Sequence, residues 1–219
     1  MLTGNMSDAA RTPFEAPAWC NQSVCYTPEG LEVGGKQVMQ YWERPLMRQL
    51  ASYATRRRGR VLEVGFGLGI SANYIAEFGC EDYCVIEAHP LIAEKARAWA
   101  ATQSIAVKVV EDFWQNVVGR LGVFDGILFD TYPVDADAAS NNYKSFLPCA
   151  QSFLANEGVL TYYSEETREF RSDHLQRILE HFDTVEFTVV EHLRVPVNCR
   201  YWKHDHMVLP CLSRPRVRR

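Results

Sequence analysis

Short apolar runs alternate with helix-compatible segments along most of the chain. Buried strands are predicted at 60–64, 82–87, 106–110, 123–129 and 158–163, with two further candidates at 185–190 and 207–212. Apolar steps of three and four predict helices at 71–77, 90–101, 141–154 and 170–181. This alternation predicts one α/β domain with a largely parallel sheet.

The first 35 residues lack this alternation. Their prolines and glycines predict little regular structure, so we expect an N-terminal arm at 1–35 and a single domain at 36–219. Trp19 and Tyr26 are unusual in so polar a segment. They either pin the arm to the surface or belong to a lid that folds over a cofactor site and excludes water, and the pattern leaves both interpretations open.

A helical pattern from 37 to 53 follows the arm. Pro45 divides or kinks it, because proline removes a backbone hydrogen bond and clashes with the preceding turn. Glu43 stands beside Pro45, and taken alone it has the character of a surface acid.

A glycine-rich turn follows the first long strand. Gly65, Gly67 and Gly69 have the spacing G-x-G-x-G, and Ile70 stands where the pyrophosphate-binding pattern G-x-G-x-x-G has its last glycine. Glycine permits positive φ and the close approach of a ligand. Because a strand, a glycine turn and a helix N-terminus form the nucleotide crevice of doubly wound sheets, we expect a nucleoside without phosphates here.

Acidic residues stand at the ends of the next three strands. Glu87 lies eighteen residues after Gly69, about the offset at which an acid accepts hydrogen bonds from ribose hydroxyls. Asp112 and Phe113 suit the amine and the ring face of adenine, although a helix N-cap explains Asp112 almost equally well. Asp130 is placed where ligands meet the carboxyl ends of parallel strands, so we expect it to take part in the chemistry.

The charge balance limits the classes of partner. Lys and Arg total 23 against 27 Asp and Glu, which argues against a nucleic-acid-binding surface. No apolar run approaches the length that crosses a membrane. We therefore expect neither nucleic acid nor a membrane as partner. These residues do not determine the oligomeric state, and a homodimer is one option.

The cysteines and histidines indicate neither a disulfide framework nor a metal centre. Seven cysteines are an odd number, no C-x-x-C motif occurs and no signal peptide is evident, so we expect reduced thiols and a cytoplasmic location. The segment 204–206, His-Asp-His, lacks a spaced third or fourth ligand, and no metal is expected.

Several segments together resemble the guanidinoacetate N-methyltransferase family of class I S-adenosylmethionine methyltransferases. They are Trp19 and residues 38–47, 61–67, 124–133 and 199–202. The run Phe-Asp-Gly-Ile-Leu-Phe-Asp-Thr-Tyr-Pro at 124–133 is far more specific than the glycine turn. Residues 87–90 are also similar to a fungal enzyme that methylates the internal guanidino nitrogen of protein arginine.

The resemblance implies a fold, a cofactor and site residues. It implies a Rossmann-like fold with a mostly parallel seven-stranded sheet and helices on both faces, and the cofactor S-adenosylmethionine with S-adenosylhomocysteine as product. The residues implied to contact the cofactor are Trp19, Met39 and Met47 as its cover, Gly65, Phe66, Gly67, Leu68, Gly69 and Ile70 at its methionine part, Glu87 and Ala88 at the ribose, Asp112 and Phe113 at the adenine, and Asp130. Glu43 and Asp130 are implied to grip the substrate guanidinium and to act as the catalytic pair.

The loop after the fifth long strand departs from the family. In the family, backbone amides of this loop receive the substrate carboxylate, whereas here it carries Glu165 and Glu166. These acids repel an anion if they face the pocket, and would then select a cationic substrate end such as the α-ammonium of free arginine. Otherwise they are solvated acids that cap the next helix.

The leading expectation is in-line methyl transfer to the guanidino group of a small molecule, either guanidinoacetate or a related compound such as free arginine. The alternatives are a protein arginine N-methyltransferase and a non-catalytic module that only binds the cofactor. A nucleic-acid amine methyltransferase is disfavoured by the acidic balance and by Asp-Thr-Tyr-Pro at 130–133.

Overall fold

A seven-stranded sheet lies at the centre of the computed structural model, which describes residues 14–133 and 142–216. The helices are α1 (Pro17–Cys20), α2 (Arg44–Ala54), α3 (Ile70–Phe78), α4 (Pro90–Ala100), α5 (Trp114–Val117), α6 (Asn142–Ala150) and α7 (Ser172–His181). The strands are β1 (Val24–Tyr26), β2 (Gly30–Val33), β3 (Lys36–Gln40), β4 (Arg60–Val64), β5 (Asp82–Glu87), β6 (Val107–Glu111), β7 (Phe124–Phe129), β8 (Leu154–Tyr162), β9 (Phe182–Val190) and β10 (Met207–Pro215). Short 3-10 helices occupy Tyr41–Glu43 and Val118–Arg120.

The central sheet has the strand order β6-β5-β4-β7-β8-β10-β9. Neighbouring strands from β6 to β8 are parallel, and β10 is antiparallel to both β8 and β9. The chain moves outward from β4 to β6 and then crosses back to β7, which creates a switch point between β4 and β7. Ligands of open α/β sheets bind at such a point, and the predicted mostly parallel seven-stranded sheet is confirmed.

Helices cover both faces of this sheet, as predicted. Side chains alternate between the faces along each strand, so Val61 packs in one core and Leu62 in the other. The first core contains apolar residues of α2, α3 and α4, and the second contains residues of α5, α6 and α7.

The arm is more regular than the sequence indicated. β1, β2 and β3 form a separate antiparallel sheet where little regular structure was expected, and β3 takes the first residues of the predicted 37–53 helix. Gly34 and Gly35 both have positive φ and make the tight turn between β2 and β3. The glycines that were interpreted as breakers are therefore turn residues of a hairpin. Residues 1–13 of the predicted arm lie outside the described residues.

Two predicted helix boundaries also change. The predicted 37–53 helix is divided near Pro45, and α2 begins there. Pro45 lies in the first turn of α2, where its missing N–H costs no helical hydrogen bond. The predicted 141–154 helix ends at Ala150, and β8 already begins at Leu154. Residue 141 lies outside the described residues.

Within the described part of the chain, the helices are too short or too polar to pass through a lipid bilayer. The same residues contain no group of three or more His, Cys, Asp or Glu that could hold a metal ion. The cytoplasmic location and the homodimer stay predictions.

Candidate functional site

A cavity of about 820 Å³ lies at the carboxyl ends of the parallel strands. Its volume is in the range of small-molecule and cofactor sites. The predicted site residues that line it are Trp19, Met39, Glu43, Gly65, Phe66, Gly67, Glu87, Ala88, Asp112, Phe113, Asp130 and Glu165. Met47, Leu68, Gly69, Ile70 and Glu166 were also predicted as site residues, but they are not among the lining residues.

The glycine turn needs its glycines for geometric reasons. Gly65 and Gly67 have φ of 95° and 53°, and a Cβ at Gly65 would clash with the carbonyl oxygen of Asp130. A Cβ at Gly67 would lie 2.9 Å from the sulfur of Met39, which also accepts a hydrogen bond from Leu68 N at 3.4 Å. The turn can therefore approach the end of β7 on one side and β3 on the other.

Glu63, a residue of β4, supports this turn through hydrogen bonds in the core. Its carboxylate accepts hydrogen bonds from the hydroxyls of Ser71 and Tyr83. Burial raises the pKa of Glu63 to about 8, although both hydrogen bonds oppose the shift. Glu63 is fully buried and does not line the cavity, and its hydrogen bond from Ser71 holds the start of α3 in place.

Glu87 is held at the end of β5 by backbone donors. Its Oε2 accepts from Phe66 N at 2.9 Å and its Oε1 accepts from His89 N at 2.8 Å. Burial raises the pKa of Glu87, and these backbone hydrogen bonds oppose the rise. The arrangement fixes an acceptor beside the glycine turn.

A further part of the cavity wall joins the end of β6 to the arm. Asp112 Oδ1 accepts from Phe113 N and from Asn116 Nδ2, both at 2.7 Å. Asn116 in turn bonds both backbone groups of Phe14, at 2.8 and 3.0 Å, and the Phe14 ring meets the Phe113 ring edge-on at 5.1 Å. Phe14 and Asn116 were missed from the sequence, because no local pattern pairs residues so far apart.

A second set of arm contacts lies at the ends of β5 and β7. Trp19 is buried and stacks on Tyr132 with ring centroids 5.0 Å apart. The thiol of Cys20 contacts the Ala88 carbonyl oxygen at 3.6 Å, and His89 Nε2 lies 3.1 Å from the Gln22 carbonyl oxygen. Trp19 therefore anchors the arm and also lines the cavity, and the lid stays a prediction.

Glu43 is a buried acid and not a surface residue. The 3-10 helix before α2 places it 3% exposed on the cavity wall, where its Oε1 accepts from Gln40 N and from the Tyr201 hydroxyl, both at 2.6 Å. Burial raises its pKa to about 8, and the nearby charge of Asp130 adds to the shift.

Asp130 completes a pair of acids from distant parts of the chain. It directly follows β7, and burial raises its pKa to about 7, with the charge of Glu165 adding to the shift. Two desolvated carboxyl groups that repel each other favour a cation between them, because the cation relieves both penalties at once. The pair can therefore bind a cationic ligand and hold or release protons near neutral pH.

The side chains of the two acids after β8 lie in different environments. Glu165 has a positive φ of 57° and lines the cavity, where its charge acts on Asp130. Glu166 is 5% exposed and turns away, and its Oε1 lies 2.7 Å from His174 Nδ1 and 3.3 Å from Arg171. Glu166 therefore belongs to a buried network with α7, and the structure does not bring it to the predicted substrate position.

Other lining residues carried little signal in the sequence. Tyr163 follows β8 directly, Tyr201 lies in the 199–202 segment, and Lys36 and Arg200 add positive charge to the wall. The 199–202 segment contributed to the resemblance, but only the tertiary structure shows that its tyrosine bonds Glu43.

Comparisons with known proteins agree with this geometry. A family model described as "Guanidinoacetate N-methyltransferase" matches residues 14–215. The "Protein arginine N-methyltransferase 2" of Eremothecium gossypii is 25% identical in an alignment that covers 94% of this chain and 54% of that protein. The protein of the same name from Candida glabrata is 27% identical, with 73% of this chain and 40% of that protein covered. The chain thus spans about half the length of these curated relatives.

Solved structures share the fold at low sequence identity. A spermidine synthase in complex with a transition state analogue has a TM-score of 0.59 at 14% identity, with 88% of this chain and 68% of that chain covered. The tRNA (m1A58) methyltransferase TrmI of Aquifex aeolicus has a TM-score of 0.56 at 15% identity, with 88% and 83% covered. These similarities confirm the predicted fold, and the family model confirms the predicted resemblance.

Proposed function

This chain belongs to the guanidinoacetate N-methyltransferase family, whose cofactor is S-adenosylmethionine, and we propose that it methylates the guanidino group of a small molecule. The observation that carries the proposal is a pair of acids, the buried Glu43 and the half-buried Asp130, on the wall of a cavity that the glycine turn and Glu87 also line.

The residues present fit this cofactor. The glycine turn is a cradle that a Cβ would obstruct, and Gly65, Phe66 and Gly67 would hold the methionine part. Glu87 and Ala88 would hold the ribose, Asp112 and Phe113 the adenine, and Trp19 and Met39 would cover the cofactor. Leu68, Gly69 and Ile70 would act through the conformation of the turn. Bound S-adenosylmethionine would supply an electrophilic methyl group.

Glu43 and Asp130 address the main difficulty of guanidino methylation. A guanidinium has a pKa above about 12, so its nitrogens are poor nucleophiles and its charge repels a sulfonium. Two carboxylates attract the cation, draw its positive charge away from the attacking nitrogen and accept the released proton on a carboxylate oxygen. The cavity walls then align the nitrogen with the methyl group, which is a gain from proximity.

We further propose that the far end of the substrate is cationic. Glu165 lines the cavity and would attract an ammonium such as the α-ammonium of free arginine, whereas it would repel the bare carboxylate of guanidinoacetate. Glu166 no longer enters this proposal, because its carboxylate is engaged with His174 and Arg171.

The arm is proposed to act as a lid over the bound cofactor. Residues 14–22 contact the ends of β5, β6 and β7, and Phe14 and Trp19 line the cavity. We expect S-adenosylhomocysteine to slow proteolysis before residue 35. Equal cleavage rates with and without this ligand would contradict the lid.

A protein arginine N-methyltransferase is the second candidate. It is favoured by the name that the curated relatives share, at identities of 25% and 27%. It requires an arginine side chain on a folded or extended peptide to pass the arm and reach the two acids.

One experiment distinguishes the small-molecule methyltransferase, the protein arginine N-methyltransferase and the cofactor-binding module. Labelled S-adenosylmethionine is offered with guanidinoacetate, arginine, agmatine, an arginine peptide and an oligonucleotide, and the labelled product is identified. We expect label on the guanidino group of arginine or agmatine. Label on the peptide alone would favour the second candidate, and cofactor binding without any transfer would indicate a binding module.

A further inference from the structure

Tyr162 and Tyr163 stand next to each other but belong to different environments. Consecutive side chains at a strand end point to opposite faces of the sheet. Tyr162 lies in the core beneath α6 and α7, and its hydroxyl lies 2.7 Å from His174 Nε2. Tyr163 points the other way and lines the cavity.

The hydroxyl of Tyr163 lacks a hydrogen-bond partner among the described residues, although the oxygen is buried. More than about 90% of buried polar groups are paired, so such an exception requires an explanation. Burial raises the pKa of Tyr163 far above its usual value, with the charge of Glu43 the next cause and that of Asp130 a further one. The group is thus a neutral phenol hydroxyl near both acids, which can donate one hydrogen bond and accept one.

We propose that the Tyr163 hydroxyl hydrogen-bonds to the substrate guanidino group when this group lies between Glu43 and Asp130. The inference rests on the proposed function. A guanidinium carries five N–H donors, and two carboxylates leave some of them without an acceptor. The tyrosine oxygen accepts one of these, while its own hydrogen is free for a carboxylate.

This third contact would fix the orientation of the guanidino group. Two carboxylates hold the positive charge, but the planar group can still turn between them. A hydroxyl on the β8 side of the cavity selects one rotational position and therefore the nitrogen that receives the methyl group. Tyr163 would be a substrate-binding residue that sets orientation.

The test compares Tyr163→Phe with Tyr143→Phe. Tyr143 is a matched control, because its hydroxyl is also buried without a partner among the described residues, yet it stacks on His174 and does not line the cavity. We expect Tyr163→Phe to raise KM for the guanidino substrate about tenfold and to broaden the choice of methylated nitrogen. Affinity for S-adenosylhomocysteine and the melting temperature should not fall, and Tyr143→Phe should leave KM unchanged.

Each other outcome overturns the inference. An unchanged KM and a single product isomer in Tyr163→Phe would show that the hydroxyl does not meet the substrate. A lower melting temperature or loss of folding would assign the hydroxyl a structural role. If the wild type methylates no guanidino compound, the proposed function and the inference fail together, whereas activity that Tyr163→Phe leaves unchanged overturns the inference alone.

Discussion

The two ends of the cavity hold their acids in different ways. At the cofactor end, Glu87 receives hydrogen bonds from two backbone amides of adjoining loops, and its acceptor position is fixed before a ligand arrives. At the proposed guanidino end, Glu43 is buried and Asp130 is half-buried, and their pKa values rise to about 8 and 7. Glu87 is preorganised by its own loops. Glu43 also accepts two hydrogen bonds, but the charge of Asp130 still opposes its ionisation, so a cation would stabilise this pair further. The proposed function therefore assigns cofactor binding and chemistry to different acids.

The largest effect is expected from Glu43→Gln. The change keeps the shape of the side chain but removes the charge that grips the guanidinium, so kcat/KM should fall by roughly 10²–10⁴. Affinity for S-adenosylhomocysteine, measured by calorimetry, should stay near that of the wild type. Glu94→Gln, at an exposed position on α4, is the control. A comparable loss of cofactor affinity would erase the distinction between the two ends.

The pH profile tests the same pair without a mutation. A cationic substrate needs both acids ionised, so kcat/KM should fall about tenfold from pH 8 to pH 7 and more steeply below pH 7, since one pKa unit is a factor of ten. Over the range between the ordinary carboxyl pKa and pH 8, the folded protein binds more protons than the unfolded chain. The ligand-free protein should therefore lose stability as pH rises through this range. A flat rate profile from pH 6 to pH 8 would contradict the raised pKa values.

Glu87→Ala addresses the cofactor end. Loss of charge-assisted hydrogen bonds of about 1.5–3 kcal/mol should weaken S-adenosylhomocysteine binding roughly ten- to hundredfold. Calorimetry measures the affinity for S-adenosylhomocysteine, and Glu94→Ala is the control. If the variant binds like the wild type, Glu87 is not the ribose acceptor.

The smallest effect is expected on substrate preference, when Glu165→Gln is compared with Glu166→Gln. One charge about 4 Å away is worth roughly 4 kcal/mol at an effective dielectric near 20, and a quarter of that changes substrate preference about fivefold. Glu165→Gln should reduce the preference for arginine or agmatine over guanidinoacetate by this factor. Glu166→Gln should keep the preference and lower the melting temperature, because it disturbs the buried contact with His174. Equal effects on preference would place both acids at the substrate.

The order of strands and helices, the glycine turn and Glu87 were all predictable from the sequence. Each depends on neighbours within about twenty residues: alternation within a strand, positive φ at Gly65 and Gly67, and an acid one strand later. The hairpin of β2 and β3 was missed although its signal is equally local, because Gly34 and Gly35 were interpreted only as breakers.

The guanidino end was decided by the tertiary structure. Its parts come from residues 43, 130, 163, 165 and 201, and burial together with the charge of Asp130 raises the pKa of Glu43 to about 8. The adjacent glutamates at 165 and 166 look alike in the sequence, but positive φ at Glu165 and the contact of Glu166 with His174 send them to different sites. Local pattern specifies elements and turns through short-range sterics, whereas desolvation and the meeting of distant side chains exist only after the chain has folded.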